Sequence, residues 1–289
     1  MLAHRRRANG RVRMRSGAWR MTTVSMVELQ QLLNKVGGIL EVDGKAGPET
    51  ELAIRDAREA AGLPAGGVDD ALVAWLQKQP DPSPVVPTEG VVFIARQEVS
   101  SRTNYDHACA KPTWPGGESG VTIGIGYDLR FQGDFESCWA PRLPAATAAA
   151  LRPWIGKQGS AAAAASLSQY SIPFFAAWDV FTALTLPAEV RSTEGAYGDL
   201  MPLPPLCRAA LVSLVYNRGP GLGDPGDTTG PRSEMRAIHD LIQKNELDKV
   251  PAQFLSMQRL WPNAAGLRAR RAAEAQMWQD GLAAAKTGG

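Results

Sequence analysis

Cysteine, histidine and long apolar runs are scarce in this chain. Its 289 residues include three cysteines and three histidines. Cys109, Cys138 and Cys207 are odd in number and widely spaced, which argues against a disulfide framework and against zinc. They read as reduced, buried, small apolar residues. His4, His107 and His239 show no ligand spacing, so we expect no metal and no cofactor. No apolar run approaches the ~20 residues that a membrane-spanning helix needs. The basic N terminus is followed by no apolar h-region, so a Sec-type signal peptide is not expected. Several chemistries lack their signatures. There is no Gly-x-Ser-x-Gly elbow, and the cysteines have no evident histidine partner. Gly124-x-Gly126 lacks the third glycine of a dinucleotide fingerprint. Gly219-Pro220-Gly221-Leu222-Gly223 lacks the Gly-Lys-Ser/Thr of a P-loop.

Positive charge outweighs negative only at one end of the chain. Residues 1–20 carry seven arginines (Arg5, Arg6, Arg7, Arg11, Arg13, Arg15 and Arg20) and no acid. The whole chain has a formal net charge of +2, so taking away these seven leaves −5 on residues 21–289. An arginine tail can bind nucleic acid or an anionic surface. This one has no aromatic interleaving and no base-reading motif, so residues 1–21 read as a disordered leader with no nucleic-acid partner.

Residues 22–78 read as a small helical unit. Val27, Leu29, Leu32, Leu33 and Val36 fall near helical spacing, and Gly37-Gly38 ends that helix. Pro48 and Thr50 open a second helix, which Gly62 closes. Asp69-Asp70 caps a third, carrying Leu72, Val73, Trp75 and Leu76. With its central Asp43-Gly44-x-x-Gly47-Pro48-x-Thr50, the unit resembles the three-helix peptidoglycan-binding domain. That family usually has Phe-Gln where this chain has Ala57-Arg58. The resemblance implies bacterial peptidoglycan as a partner. Residues 79–90 hold four prolines, which predicts an extended, semi-rigid linker and a domain boundary.

Residues 91–289 form the second domain. A helix is expected from near Glu89, followed by a glycine-rich β-region at 116–130. Helices are then expected around 145–168, 174–184, 206–216, 233–242, 247–257 and 267–282. The stretch Gly116-Gly117-Glu118-Ser119-Gly120-Val121-Thr122-Ile123-Gly124-Ile125-Gly126-Tyr127-Asp128-Leu129 alternates Val121, Ile123, Ile125 and Tyr127, the period of a strand. Its interleaved glycines predict a bare face against which something else can lie, and the plainer reading is a glycine-rich hairpin with no chemistry. Thr122 and Asp128 share that face, because both are an even number of residues from Gly124.

Hydrolysing a glycosidic bond needs a proton donor for the leaving oxygen and a second group that handles water or the oxocarbenium charge. Glu98 follows Val91-Val92-Phe93-Ile94-Ala95, and desolvation at an apolar helix end suits a carboxyl to proton donation. Its plain alternative is a solvated glutamate paired with Arg102 one turn on.

A helix with an acid, then Thr122-Ile123-Gly124-Ile125-Gly126, then an all-helical remainder is the layout of the phage T4-type lysozyme superfamily. Ala209 to Gly219 resembles its core helix with an Asn-x-Gly ending, and Gly266-Leu267-x-x-Arg270-Arg271-x-x-Glu274-x-x-x-Trp278 resembles its C-terminal helix. The 24 residues from Glu98 to Thr122, and the absence of an aspartate just before the threonine, bring the chain nearer the pesticin-like branch of muramidases. There the aspartate follows the threonine, at the place of Asp128. The resemblance implies an α+β fold, mainly α with a small β-region, and a muramidase activity. It gives Glu98 as general acid, Asp128 as base or charge stabiliser, and Thr122 as the group that positions water. It also implies inversion, which requires a wide gap between the carboxylates. Asp106 and Glu118 compete with Asp128 for the second carboxylate. Tyr127 and Asn217 are candidate substrate-binding groups, with a core position and a helix cap as their structural readings. Arg271 reads as a partner of Glu274.

Together the resemblances imply a modular endolysin, expected as a monomer. It is expected to be made in the host cytoplasm and to act on the cell wall after release by a holin or a secretion system. The competing classes are a non-catalytic wall-binding or phage structural protein, and a secreted antibacterial effector or bacteriocin.

Overall fold

The computed structural model describes residues 24–131 and 133–287; the leader at 1–21 lies outside them. The chain is mainly helical, with one small two-stranded sheet, in keeping with the expected fold class. No described helix is long and apolar enough to cross a membrane.

The first unit consists of α1 (Met26–Lys35), α2 (Pro48–Ala60) and α3 (Asp70–Gln77). Ser25 caps α1 by accepting from the Glu28 amide, and Asp69 caps α3 by accepting from the Leu72 amide. Leu29, Leu33, Ile54, Leu72 and Leu76 form a small core of their own. The Asp43-to-Thr50 motif is a lock around one buried side chain. Gln30 donates to Asp43 Oδ1 at 2.9 Å and to the Lys45 carbonyl at 3.1 Å, and accepts from the Gly44 amide at 2.9 Å. Arg58 is buried, and donates to the Pro64 and Gly67 carbonyls and, at 2.8 Å, to Asp69. It therefore ties α2 to the loop that enters α3.

The proline-rich segment is not a free spacer. Val86 is fully buried in the main core, and α4 (Thr88–Val99) begins two residues before the expected end of the linker. The two units pack together directly. Ile39 from the first unit is buried in the main core, and Arg96 on α4 donates to its carbonyl at 3.1 Å. Arg102 pairs with Asp56 at 3.2 Å, with both side chains 11% exposed, and Ser101 donates to Glu49 at 3.0 Å. Burying such a pair places most of its charge out of water, so it needs the close geometry seen here.

A central helix, Pro205–Arg218, organises the larger domain. Residues 209–215 are all buried, as expected for a helix apolar on every side. α4 crosses it where a Cβ at Gly90 would lie 2.3 Å from Ala209 Cβ. The C-terminal helix, Ala265–Thr287, crosses it at Gly281, whose Cβ would lie 3.0 Å from the Cys207 amide. Both crossings require glycine because the backbones approach too closely for a side chain. The stretch expected as one helix over 145–168 divides into Ala145–Leu151 and Ala161–Ser166. Pro153 turns the first piece into a 3-10 turn, and Gly156 follows at φ +71. The next helix does not end at 184. Phe174–Val180 continues through a π-turn at Phe181–Thr185 into Leu186–Tyr197. All three cysteines are free; Cys138 and Cys207 are buried, and Cys109 is partly so.

The β-region is a hairpin, its plainer reading, rather than one strand. β1 (Thr122–Ile123) and β2 (Tyr127–Asp128) are antiparallel, joined by Gly124-Ile125-Gly126. Val121, Ile123, Ile125 and Tyr127 are all buried, so the alternation is real, but it runs through a hairpin. Gly124 at φ +61 and Gly126 at φ +71 supply the left-handed residues that so tight a reversal demands. A bridge from Thr113 to Thr122 adds a third rung.

Candidate active site

The hairpin brings Thr122 and Asp128 directly opposite each other. Paired residues of antiparallel strands point to the same face, so the shared face expected from their spacing holds through cross-strand pairing. Asp128 is fixed by backbone. The Gly120 amide donates to its two oxygens at 2.9 and 3.0 Å, and the Arg130 amide donates to Oδ1 at 2.8 Å. Gly120 must be glycine here, because a Cβ would lie 2.4 Å from Asp128 Oδ1. Thr122 Oγ1 is buried and has no partner among the described residues. Such a hydroxyl needs a hydrogen-bond partner.

Glu98 sits at the end of α4 and faces the hairpin loop. A Cβ at Gly126 would lie 3.4 Å from Glu98 Oε2 and 3.1 Å from the Tyr216 hydroxyl. The absence of a side chain at 126 thus lets the carboxylate and the phenol meet the loop backbone. Tyr216 donates to the Ile125 carbonyl at 3.2 Å, fixing the loop from the central helix. Burial, with the Glu98 carboxylate alongside, holds its hydroxyl well above the usual tyrosine range, so it stays a donor.

Glu98 is not isolated among apolar groups. Arg270 Nη1 donates to Glu98 Oε1 at 3.2 Å, and the Glu98 side chain is 24% exposed. Arg102, its expected partner one turn on, turns instead to Asp56 and Asp106. Arg270 belongs to a buried network between the central and C-terminal helices. Its Nη2 donates to the Ser213 carbonyl at 3.1 Å, and its Nε lies 3.4 Å from Glu274 Oε1. Ser213 and Arg271 both donate to that same oxygen, at 2.6 and 2.7 Å. Arg271 and Glu274 are completely buried. Burial pushes the Glu274 carboxyl up and the Arg271 guanidinium down to about 10. Arg271 is therefore a partner of Glu274, as read from the sequence.

The bare face expected of the glycine stretch does not exist as such. A Cβ at Gly124 would lie 2.5 Å from Trp139 Cη2 and 3.2 Å from Ala177 Cβ. Trp139 therefore covers that part of the hairpin, and its ring meets Tyr127 edge-on at 5.5 Å. The exposed side of the hairpin narrows to Gly126 and the Thr122–Asp128 pair.

Tyr127, expected as a substrate-binding group, is 1% exposed. Its hydroxyl donates to Asp134 at 2.5 Å, so it belongs to the core. Asn217 is exposed, one residue after Tyr216, and the helix is ended not by it but by Gly219 at φ +71. Of the competing acids, Asp106 pairs with Arg102 and borders a hollow shared with Pro48, Glu51 and Arg55 of α2. Glu118 is exposed and pairs with Arg130 at 3.0 Å. Among the described residues, the ion pairs of Asp106 and Glu118 go to Arg102 and Arg130 rather than to the groups around Glu98. Arg270 and Tyr216 lie within the matched helix motifs but carry no expected role there, and Trp139 is not singled out at all. Ser213 inside an apolar run, and an Arg-Arg-x-x-Glu cluster on a helix that must be packed, were the available signals.

No curated protein matches the chain. Residues 23–76 match the family model described as "Putative peptidoglycan binding domain". The match covers nearly all of the three-helix unit, and it supports a cell-wall-related protein with peptidoglycan as a partner.

Proposed function

We propose that the chain is a peptidoglycan hydrolase whose larger domain cleaves the β-1,4 bond between N-acetylmuramic acid and N-acetylglucosamine. One observation carries the reading. An acid on α4 meets a hairpin that presents a carboxylate and an unpartnered hydroxyl as a cross-strand pair. In this reading Glu98 is the general acid. Arg270 occupies Oε1, so the transferable proton sits on Oε2, the oxygen that faces Gly126. Both oxygens of Asp128 accept backbone N–H bonds, which suits charge stabilisation or the orienting of water better than proton donation. In the same reading Thr122, its cross-strand partner, holds that water through Oγ1. The peptidoglycan-binding unit keeps the enzyme on its polymer and raises the local substrate concentration. In this reading the protein reaches the wall after release by a holin or a secretion system.

Mass spectrometry of peptidoglycan digested by the protein tests this directly. New reducing ends on N-acetylmuramic acid support the reading, and loss of those products in Glu98→Gln supports the role of that acid. Released stem peptides with intact glycan would mark an amidase. Unchanged peptidoglycan would leave the protein a wall-binding one.

A further inference from the structure

A hollow of about 600 Å³ lies where the first unit meets α4. This lies within the range of small-ligand sites, which favour interfaces between domains. It lies apart from the hairpin, and none of Glu98, Thr122 or Asp128 lines it. Its walls come from both units. Leu40 and Val42 follow α1, and Val92 and Phe93 lie on α4; together they give an apolar floor. Charge of both signs surrounds that floor, with Lys35 and Arg96 as the cations and Glu41 and Glu89 as the anions.

The two cations are held in place. Lys35 Nζ lies 3.1 Å from Asp81, and Arg96 Nη1 donates to the Ile39 carbonyl at 3.1 Å. Arg96 Nη2 lies 3.9 Å from Glu41, whose side chain is 80% exposed. A guanidinium fixed through one nitrogen keeps further N–H groups for a planar acceptor, above all a carboxylate. The carboxylates of Glu41 and Glu89 suit an ammonium group. The ligand that matches this lining is short and carries small apolar side chains, carboxylates and an amine.

We infer that this hollow is a second binding site for the wall polymer, and that it takes the peptide branch rather than the glycan strand. The branch of peptidoglycan is a short peptide of small residues with free carboxylates and, in its diamino acid, an amine. The inference rests on the reading of the chain as a peptidoglycan-directed protein, and adds which part of the polymer is held and by which surface. Because both units line the hollow, a peptide bound there would reinforce their packing.

Isothermal titration of the full-length chain tests it, using the tetrapeptide L-Ala-γ-D-Glu-meso-diaminopimelate-D-Ala and, separately, peptide-free glycan chains. The tetrapeptide should bind the parent protein. Arg96→Gln and Lys35→Gln should each weaken it about tenfold, as loss of a charge-assisted contact does. Val42→Trp, at a residue 38% exposed, should block the hollow without disturbing the core. Glu98→Gln should bind the tetrapeptide as the parent does. That separates this site from catalysis, since a protein that cuts glycan yet ignores the peptide would sink this inference alone. A protein that binds the peptide but cuts nothing would sink only the hydrolase reading. Failure of the parent to bind the tetrapeptide, or equal binding by all three hollow variants, would overturn the proposal.

Discussion

Arg270 on the C-terminal helix donates to Glu98 on α4 over 3.2 Å, joining residues 172 positions apart. The same guanidinium is 5% exposed and also holds Ser213 and Glu274. The carboxylate proposed as the acid is thus placed by a network built into the packing of the last helix on the central one. Two consequences separate. The network bears on folding, because it holds charge out of water. The acid bears on chemistry, because its second oxygen faces the hairpin.

Replacing Arg270 by alanine should therefore damage folding. It leaves Glu274 buried with one cation fewer and Glu98 unheld. Breaking a buried pair from one side costs about 3–5 kcal/mol, which urea denaturation of the full chain would register. Glu98→Gln keeps an oxygen for Arg270 and should change stability by about 1 kcal/mol or less. It should nonetheless reduce muramidase turnover by about 10²–10⁴, the range for removal of a general acid. A stable Arg270→Ala would show the network to be dispensable, and a fully lytic Glu98→Gln would remove that residue from the mechanism.

Asp128 and Asp106 can be told apart in the same way. Asp128→Asn puts an amide where the Gly120 and Arg130 N–H groups now meet oxygen. Activity should fall by about two orders of magnitude, with only about 1 kcal/mol of stability lost, because Oδ1 still accepts from both amides and only the Gly120 contact at Oδ2 is given up. Thr122→Ala should lose activity with little change in stability, since Oγ1 makes no bond within the described residues. Asp106→Asn should leave turnover near the parent value. Turnover on purified peptidoglycan, measured beside thermal melts, checks all three, and loss confined to Asp106→Asn would show Asp128 to be the wrong carboxylate.

Much of this arrangement is legible in the residue pattern, but unevenly. Helix caps such as Asp69 and the largely apolar run at 209–215, broken only by Ser213, are local signals, and they appear where expected. The same-face relationship of Thr122 and Asp128 is legible because an even spacing survives either as one strand or as a hairpin whose loop has an odd number of residues. The place of the turn is not, because alternation alone does not show where the chain reverses; two glycines at positive φ decide that. The covering of Gly124 by Trp139 and the pairing of Glu98 with Arg270 are long-range contacts, set by how helices cross, and no local period encodes them. The proline-rich segment misleads for a similar reason. Its composition predicts stiffness, whereas burial of Val86 depends on the core it meets.

The glycines of the hairpin give a third test, since the two loop positions face different surroundings. Gly124→Ala drives a Cβ to within 2.5 Å of the Trp139 ring and asks alanine to adopt φ +61. Overpacking costs roughly 1–3 kcal/mol and the left-handed backbone about 1–2 more. Gly126→Ala meets nothing closer than the Tyr216 hydroxyl at 3.1 Å, so it should cost only the backbone penalty of about 1–2 kcal/mol. It should impair activity more than stability, because its methyl group lies against Glu98 Oε2. Comparison of melting and turnover for the two variants checks this. Equal effects on both readouts would mean that Gly126 does not border the reacting groups.

Acid should weaken the protein through Glu234. This side chain is nearly buried at the start of the Ser233–Gln243 helix and accepts from Arg259 at 2.6 Å and from Ser256 at 3.1 Å. Burial alone would raise its pKa, but Arg259 and the hydrogen bonds prevail and hold it below the ordinary 4.5. A carboxyl lowered on folding binds fewer protons in the native state than in the unfolded one. Its stabilising contribution is therefore fully present above about pH 4.5 and disappears as the pH falls through the folded value. Glu234→Gln should consequently melt a few degrees below the parent at neutral pH, with the difference closing as the pH falls below 4.5 and through the lowered folded value. Melting curves of both proteins from neutral pH down to that point would test the sign. A gap that stays constant, or widens on acidification, would mean that Glu234 does not act through its charge.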